Sequence, residues 1–221
     1  MISAAIGTGL IVPPKIVPPT IQPIDPDIAM MLLPYIAVAS IVALLGWILA
    51  TVIRKKFGGE LQTPNIIIPP VLSIALSLRF GFEMELVQGV ILCLILLYAA
   101  NSDIRTREVS DTISLMIAII AFIGAELSDI PTMLLAAVLI TLPQLAVAMW
   151  KPGTYGGADI KLMAACAFLL GFDKGLFAIV VSLLLAVVCI LIYRKAKKQD
   201  TKASFALIPY LAIGCMTAFF L

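Results

Sequence analysis

Histidine is absent from this 221-residue chain. That absence excludes a Ser-His-Asp or Cys-His nucleophilic site, a HExxH zinc site and any imidazole general base. Acid–base chemistry must then fall to Asp, Glu, Lys, Tyr or Cys. Charge is also scarce: 13% of residues are Asp, Glu, Lys or Arg, against 62% hydrophobic, and the mean hydropathy is +1.13. So few polar side chains cannot cover a soluble globule, and the chain reads as an integral membrane protein whose first partner is the lipid bilayer. The net charge of +2 says little about a partner, because in a membrane the position of each charge matters more than the sum, and no nucleic-acid footprint is visible. Cysteine is limited to Cys93, Cys166, Cys189 and Cys215, all within apolar runs and far apart. That spacing holds no metal, so they read as small buried apolar residues. Neither a metal nor a cofactor is expected.

What is present is a series of long apolar runs. A bilayer core of about 30 Å takes roughly 20 apolar residues per helix. Eight runs approach that length: 28–53, 65–82, 85–101, 112–127, 131–150, 159–172, 174–193 and 204–221. The expected fold class is therefore an all-α polytopic membrane protein of about eight transmembrane helices. The second run carries Pro69-Pro70 near its start, and the fourth and sixth are short. Ahead of the runs, Pro13, Pro14, Pro18, Pro19, Pro23 and Pro26 break the chain, and 1–10 lacks the basic start of a secretory signal. Residues 1–27 are expected to form a proline-rich extracytoplasmic arm in polyproline II conformation.

Basic residues orient these runs. If the loops after the first, third, fifth and seventh face the cytoplasm, that side holds Arg54, Lys55, Lys56, Arg105, Arg107, Lys151, Lys161, Arg194, Lys195, Lys197, Lys198 and Lys202. The other side keeps Lys15, Arg79 and Lys174. The division obeys the positive-inside rule for a multi-pass protein of the cell membrane, and both termini then lie outside.

In this orientation two aspartates share a depth. Asp103 ends the third run, and Asp159 opens the sixth in Tyr155-Gly156-Gly157-Ala158-Asp159-Ile160-Lys161-Leu162. In a partly desolvated, water-accessible cleft two such carboxylates do not both ionise easily and share a proton. The ionised one can take a proton from a water attacking a carbonyl while the protonated one donates to the developing oxyanion, which is peptide hydrolysis without histidine or metal. Alternatively Asp159 serves as a helix N-terminal residue stabilised by the dipole, and Asp103 as an interfacial charge at a helix end. Gly156 and Gly157 let an extended substrate backbone approach, or else form a plain loop before a helix. Lys161, two residues past Asp159, points away from it by about 200° on a regular helix and reads as snorkelling toward phosphate. Asp111 reads as an N-cap or first-turn residue.

The run Gly156-Gly157-Ala158-Asp159-Ile160-Lys161-Leu162, taken with Asp103-Ile104-Arg105-Thr106-Arg107-Glu108-Val109-Ser110-Asp111, resembles the type IV prepilin peptidase and archaeal preflagellin peptidase family of GxGD-type intramembrane aspartyl proteases. The segment Pro209-Tyr210-Leu211-Ala212-Ile213-Gly214 resembles the family's last helix. The likeness covers about 85–221, implying a six-helix peptidase core preceded by two additional helices over 28–84. It implies Asp103 and Asp159 as the catalytic pair, facing the cytoplasm, and prepilin-like or preflagellin-like precursors as substrates. It also suggests that Glu108 and Asp111 bind the basic leader. Ala158 stands where the strict motif has glycine, which favours the archaeal form. The first cytoplasmic loop, about 54–64, lacks the large insert with paired CxxC motifs of methylating relatives. Proteolysis without N-methylation is therefore expected.

Two rivals use the same residues. A presenilin-like or signal-peptide-peptidase-like protease would pair the aspartates with a late Pro-Ala-Leu segment, which this sequence lacks. A proton- or cation-coupled transporter would place both carboxylates near mid-bilayer on broken helices, rather than at one end.

Overall fold

The apolar runs become helices because a backbone removed from water must satisfy its own hydrogen bonds. The computed structural model describes residues 26–58, 63–151, 156–197 and 205–221. Seven helices follow in order: α1 (Pro26–Phe57), α2 (Thr63–Phe80), α3 (Met84–Thr106), α4 (Asp111–Ile120), α5 (Ile130–Trp150), α6 (Gly157–Lys197) and α7 (Ile208–Phe219). Of these, α1, α2, α3, α5 and α6 are long and apolar enough to cross a membrane, while α4 and α7 are shorter apolar helices. The protein is an all-α polytopic membrane protein. Residues 35–221 form one compact body, and the described residues before it, 26–34, are the first turns of α1. The arm expected over 1–27 lies outside the described residues apart from Pro26 and Asp27.

The sixth and seventh runs are the two arms of α6, divided at Gly171, whose φ of 77° and ψ of −176° interrupt the helix. Glycine adopts positive φ without a Cβ penalty, so the break falls there. The arms fold back on one another: a Cβ on Gly175 would lie 3.3 Å from the Ala167 Cα. Eight residues along a straight helix would be about 12 Å apart. The break expected at residue 173, between the runs 159–172 and 174–193, thus occurs slightly earlier.

The fourth run stops short of its expected end at 127. The Gln88 side-chain amide, from α3, donates to the carbonyls of Ile120 at 3.0 Å and Ile123 at 3.1 Å. Those groups would otherwise need further helix, and Gly124 at φ 78° then turns the chain toward α5.

Helix α3 packs against α2, α4 and α7, and α6 packs against α4, α5 and α7. Leu92, Leu96 and Ala99 of α3 meet Leu162, Met163 and Cys166 of α6 and Leu211 and Cys215 of α7 in one buried cluster. The three helices that carry the aspartate motifs and the Pro209 segment therefore share a core.

Candidate active site

Asp103 lies near the C-terminus of α3, which is closed by local hydrogen bonds. Arg107 takes the left-handed C-cap conformation, φ 57°, and its N–H donates to the Asp103 carbonyl at 3.1 Å. The Ser102 hydroxyl donates to the Glu108 carbonyl at 2.7 Å, and the Thr106 hydroxyl to the Ser102 carbonyl at 2.9 Å. These bonds turn the chain sharply and hold Asp103 inside, only 8% exposed.

Its carboxylate is not idle there. Asp103 Oδ2 accepts the backbone N–H of Ile208, the first residue of α7, at 3.1 Å. The N-cap of α7 is Leu207, whose side chain cannot accept, so a carboxylate from α3 does the work of a cap. Burial opposes a charge on this carboxylate most strongly, while the Ile208 N–H, the positive end of the α7 dipole and the Arg107 cation favour it.

Asp159 lies in the first turn of α6 and is half-buried. Its Oδ2 accepts the Gly156 N–H at 3.2 Å, the backward bond of a capping box. Gly156 has to be small for this arrangement, since a Cβ there would lie 2.9 Å from Asp159 Oδ2. Gly157 differs: a Cβ on it meets nothing within 4 Å, and the residue is exposed. The Asp103 charge acts on Asp159, so the folded bundle brings the two carboxylates within electrostatic reach.

The other predicted residues lie around this pair. Asp111 sits in the first turn of α4, with Ser110 as the N-cap. Its Oδ2 is 2.7 Å from Lys161 Nζ, an exposed ion pair joining α4 to α6. Lys161 therefore has a protein partner in place of the lipid phosphate expected for it. Glu108 is exposed in the turn between α3 and α4. Among the described residues no cluster of His, Cys, Asp or Glu could hold a metal ion.

Sequence reasoning passed over one polar pair. Asn65 of α2 and Asn101 of α3 are 2% and 6% exposed, and their amides bond each other. An amide inside an apolar run is the signal that could have found them, because it must meet a partner to be tolerated there.

A helical membrane bundle holding two neighbouring carboxylates at helix ends, without histidine, defines a class of candidate intramembrane hydrolases. Residues 90–192, which include Asp103 and Asp159, match the model of the type IV leader peptidase family. This likeness covers just under half of the chain and supports a leader-peptidase-like protease. No curated protein and no solved structure gives a match.

Proposed function

We propose that the protein is an aspartyl endopeptidase that removes basic leader peptides from type IV prepilin-like or preflagellin-like precursors at the cytoplasmic face of the cell membrane. The observation that supports this reading is that α3, α6 and α7 share one buried core, with Asp103 buried at the end of α3 and Asp159 half-exposed at the start of α6, within electrostatic reach of it. The ionised carboxylate takes a proton from water as its oxygen attacks the scissile carbonyl. The protonated carboxylate donates to the oxyanion, and the departing amine then takes up a proton as the C–N bond breaks.

The precursor's hydrophobic helix docks laterally against the bundle and leaves its leader at the interface, where Glu108 and Asp111 attract basic side chains. The product is not methylated: the α1–α2 connection, residues 58–62, is too short for a domain of that kind.

The test is the product mass when purified protein in detergent meets a peptide with a basic leader, an adjacent glycine and a hydrophobic helix. Cleavage after the leader is expected from the wild type, falling by about 10²–10⁴-fold in Asp103→Asn and in Asp159→Asn. Undiminished cleavage by either variant would remove the mechanism. No cleavage of any precursor, with both variants altering proton or cation flux in liposomes, would move the assignment to a transporter.

A further inference from the structure

A groove of about 610 Å³ lies between α1, α3 and α4. Its walls are apolar, including Leu49 and Val52 of α1, Ile91 and Leu94 of α3, and Ile113 and Met116 of α4. Lys56 is the single charged residue that lines it. An adjoining recess of about 340 Å³ shares Lys56, Tyr98, Ser110 and Ile113, and adds Glu108 on its wall.

Lys56 is held in place. Its Nζ donates to the Tyr98 hydroxyl at 2.6 Å and lies 5.4 Å from the ring centroids of both Phe57 and Tyr98. A lysine that only reached for the membrane surface would need no such hold, because its long stem snorkels freely. Among the described residues no carboxylate forms an ion pair with Lys56, although Glu108 lines the adjoining recess. Across the opening stand the Ser110 and Thr112 hydroxyls, 3.1 Å apart. Arg54 and Lys55 add cationic charge in the same helical turn.

An apolar groove ending at an ammonium held in place, with hydroxyls beside it and two more cations in the same helical turn, is complementary to an anionic amphiphile. We propose that the groove binds one anionic phospholipid, with its phosphate at Lys56 and an acyl chain running along Leu49, Val52, Ile91, Leu94 and Met116. The lipid fills the space between α1 and α4 on the surface of α3. It thereby ties a helix outside the matched residues 90–192 to the helix that carries Asp103. This site stands independently of the proposed peptidase chemistry.

Native mass spectrometry of the full-length protein in detergent tests the proposal, using phosphatidylglycerol and phosphatidylcholine with identical acyl chains. The wild type is expected to retain one phosphatidylglycerol in clear preference to phosphatidylcholine. Lys56→Gln should lose that preference by about fivefold or more, the effect of one basic residue on an anionic surface, while Lys55→Gln keeps it. Met116→Trp, which fills the groove, should lower retention of both lipids and leave the protein folded by its melting curve. Equal retention of the two lipids, or a preference unchanged in Lys56→Gln, would mean annular lipid only and overturn the site. Binding of glycerol phosphate as tightly as the lipid would make it a soluble-phosphate site. Displacement of the lipid by the hydrophobic helix of a precursor peptide would assign the groove to substrate.

Discussion

The side-chain amides of Asn65 and Asn101 exchange two hydrogen bonds, 3.2 Å and 2.9 Å long, inside the bundle. Asn101 also donates to the Leu97 carbonyl at 2.8 Å. Asn65 belongs to α2, before the family-matched residues 90–192, whereas Asn101 precedes Asp103 on α3 by half a turn. Beside this joint Pro69 cannot donate to the Asn65 carbonyl as a helical residue would, and Gly46 brings α1 close to that oxygen. The second helix is thus fastened to the aspartate-bearing helix by a pair of matched amides, and α1 approaches α2 closely at Gly46.

Asn65→Leu leaves a buried amide on Asn101 without its partner. The expected loss is on the order of 0.6–1.7 kcal/mol, the range for polar contacts between membrane helices. Asn65→Leu/Asn101→Leu removes both amides and should recover part of the loss, because the cost lies in orphaning one partner. Melting temperatures in one detergent decide this, and a double variant less stable than Asn65→Leu by the full second increment would count against the pair.

The two glycines of the aspartate motif should separate sharply. Gly156→Ala places a Cβ against the Asp159 carboxylate, 2.9 Å from Oδ2 and 3.6 Å from Cγ, so the carboxylate must move. Cleavage should fall substantially, up to the roughly 10²–10⁴-fold that a positioned acid–base group contributes. Gly157→Val meets no protein atom from its Cβ. Its melting curve should be unchanged, and its cleavage should be abolished because substrate backbone approaches there. Full activity of Gly157→Val would make that glycine part of a plain loop.

The helical architecture was largely legible, because apolar length and the positions of charges mark where helices run and end. The stop of α4 at Ile120 was not, since Gln88 from another helix donates to the carbonyls of Ile120 and Ile123 where the helix ends. The break at Gly171 lay in view as a glycine, but the apolar run continues to Phe172 and the charged Asp173 and Lys174 follow it, so the expected break fell at residue 173. Of the site, Asp103 and Asp159 were visible as carboxylates at helix ends. The N–H that Asp103 accepts was not, because Ile208 stands 105 residues away and a backbone donor carries no side-chain signature. Lys161 and Asp111 were each conspicuous, yet their pairing depends on how α4 packs on α6.

That pairing bears on leader recognition. Both side chains of the Lys161–Asp111 pair are well exposed, 57% and 71%, so its net contribution to stability is at most about 1 kcal/mol. Its larger effect is on charge: Lys161 offsets the carboxylate expected to meet a basic leader. Lys161→Gln should lower KM for a basic-leader peptide several-fold with kcat little changed, and Glu108→Lys should raise KM. Both effects should shrink as salt is added, since exposed charges are screened. A KM in Lys161→Gln equal to that of the wild type from low to high salt would show that Asp111 does not meet the leader.

Asp103 has two separable tasks, and its substitutions should divide them. As an acceptor for the Ile208 N–H it closes the N-terminus of α7, and as an acid or base it takes part in the proposed hydrolysis. Asp103→Asn keeps a side-chain oxygen able to accept that bond, so the fold should survive with little loss while cleavage disappears. Asp103→Leu removes the acceptor as well, and losing a cap costs about 1 kcal/mol, within a range of about 0.5–2 kcal/mol. It should be as inactive as Asp103→Asn and measurably less stable, with faster amide exchange at the first turn of α7. Asp159 provides the contrast, because the bond its carboxylate makes among the described residues is to its own helix start at Gly156. Asp159→Leu should therefore abolish cleavage without loosening α7. If Asp103→Leu and Asp103→Asn melt together, the α3–α7 contact is not a structural cap; if Asp103→Asn still cleaves, the carboxylate serves only the fold.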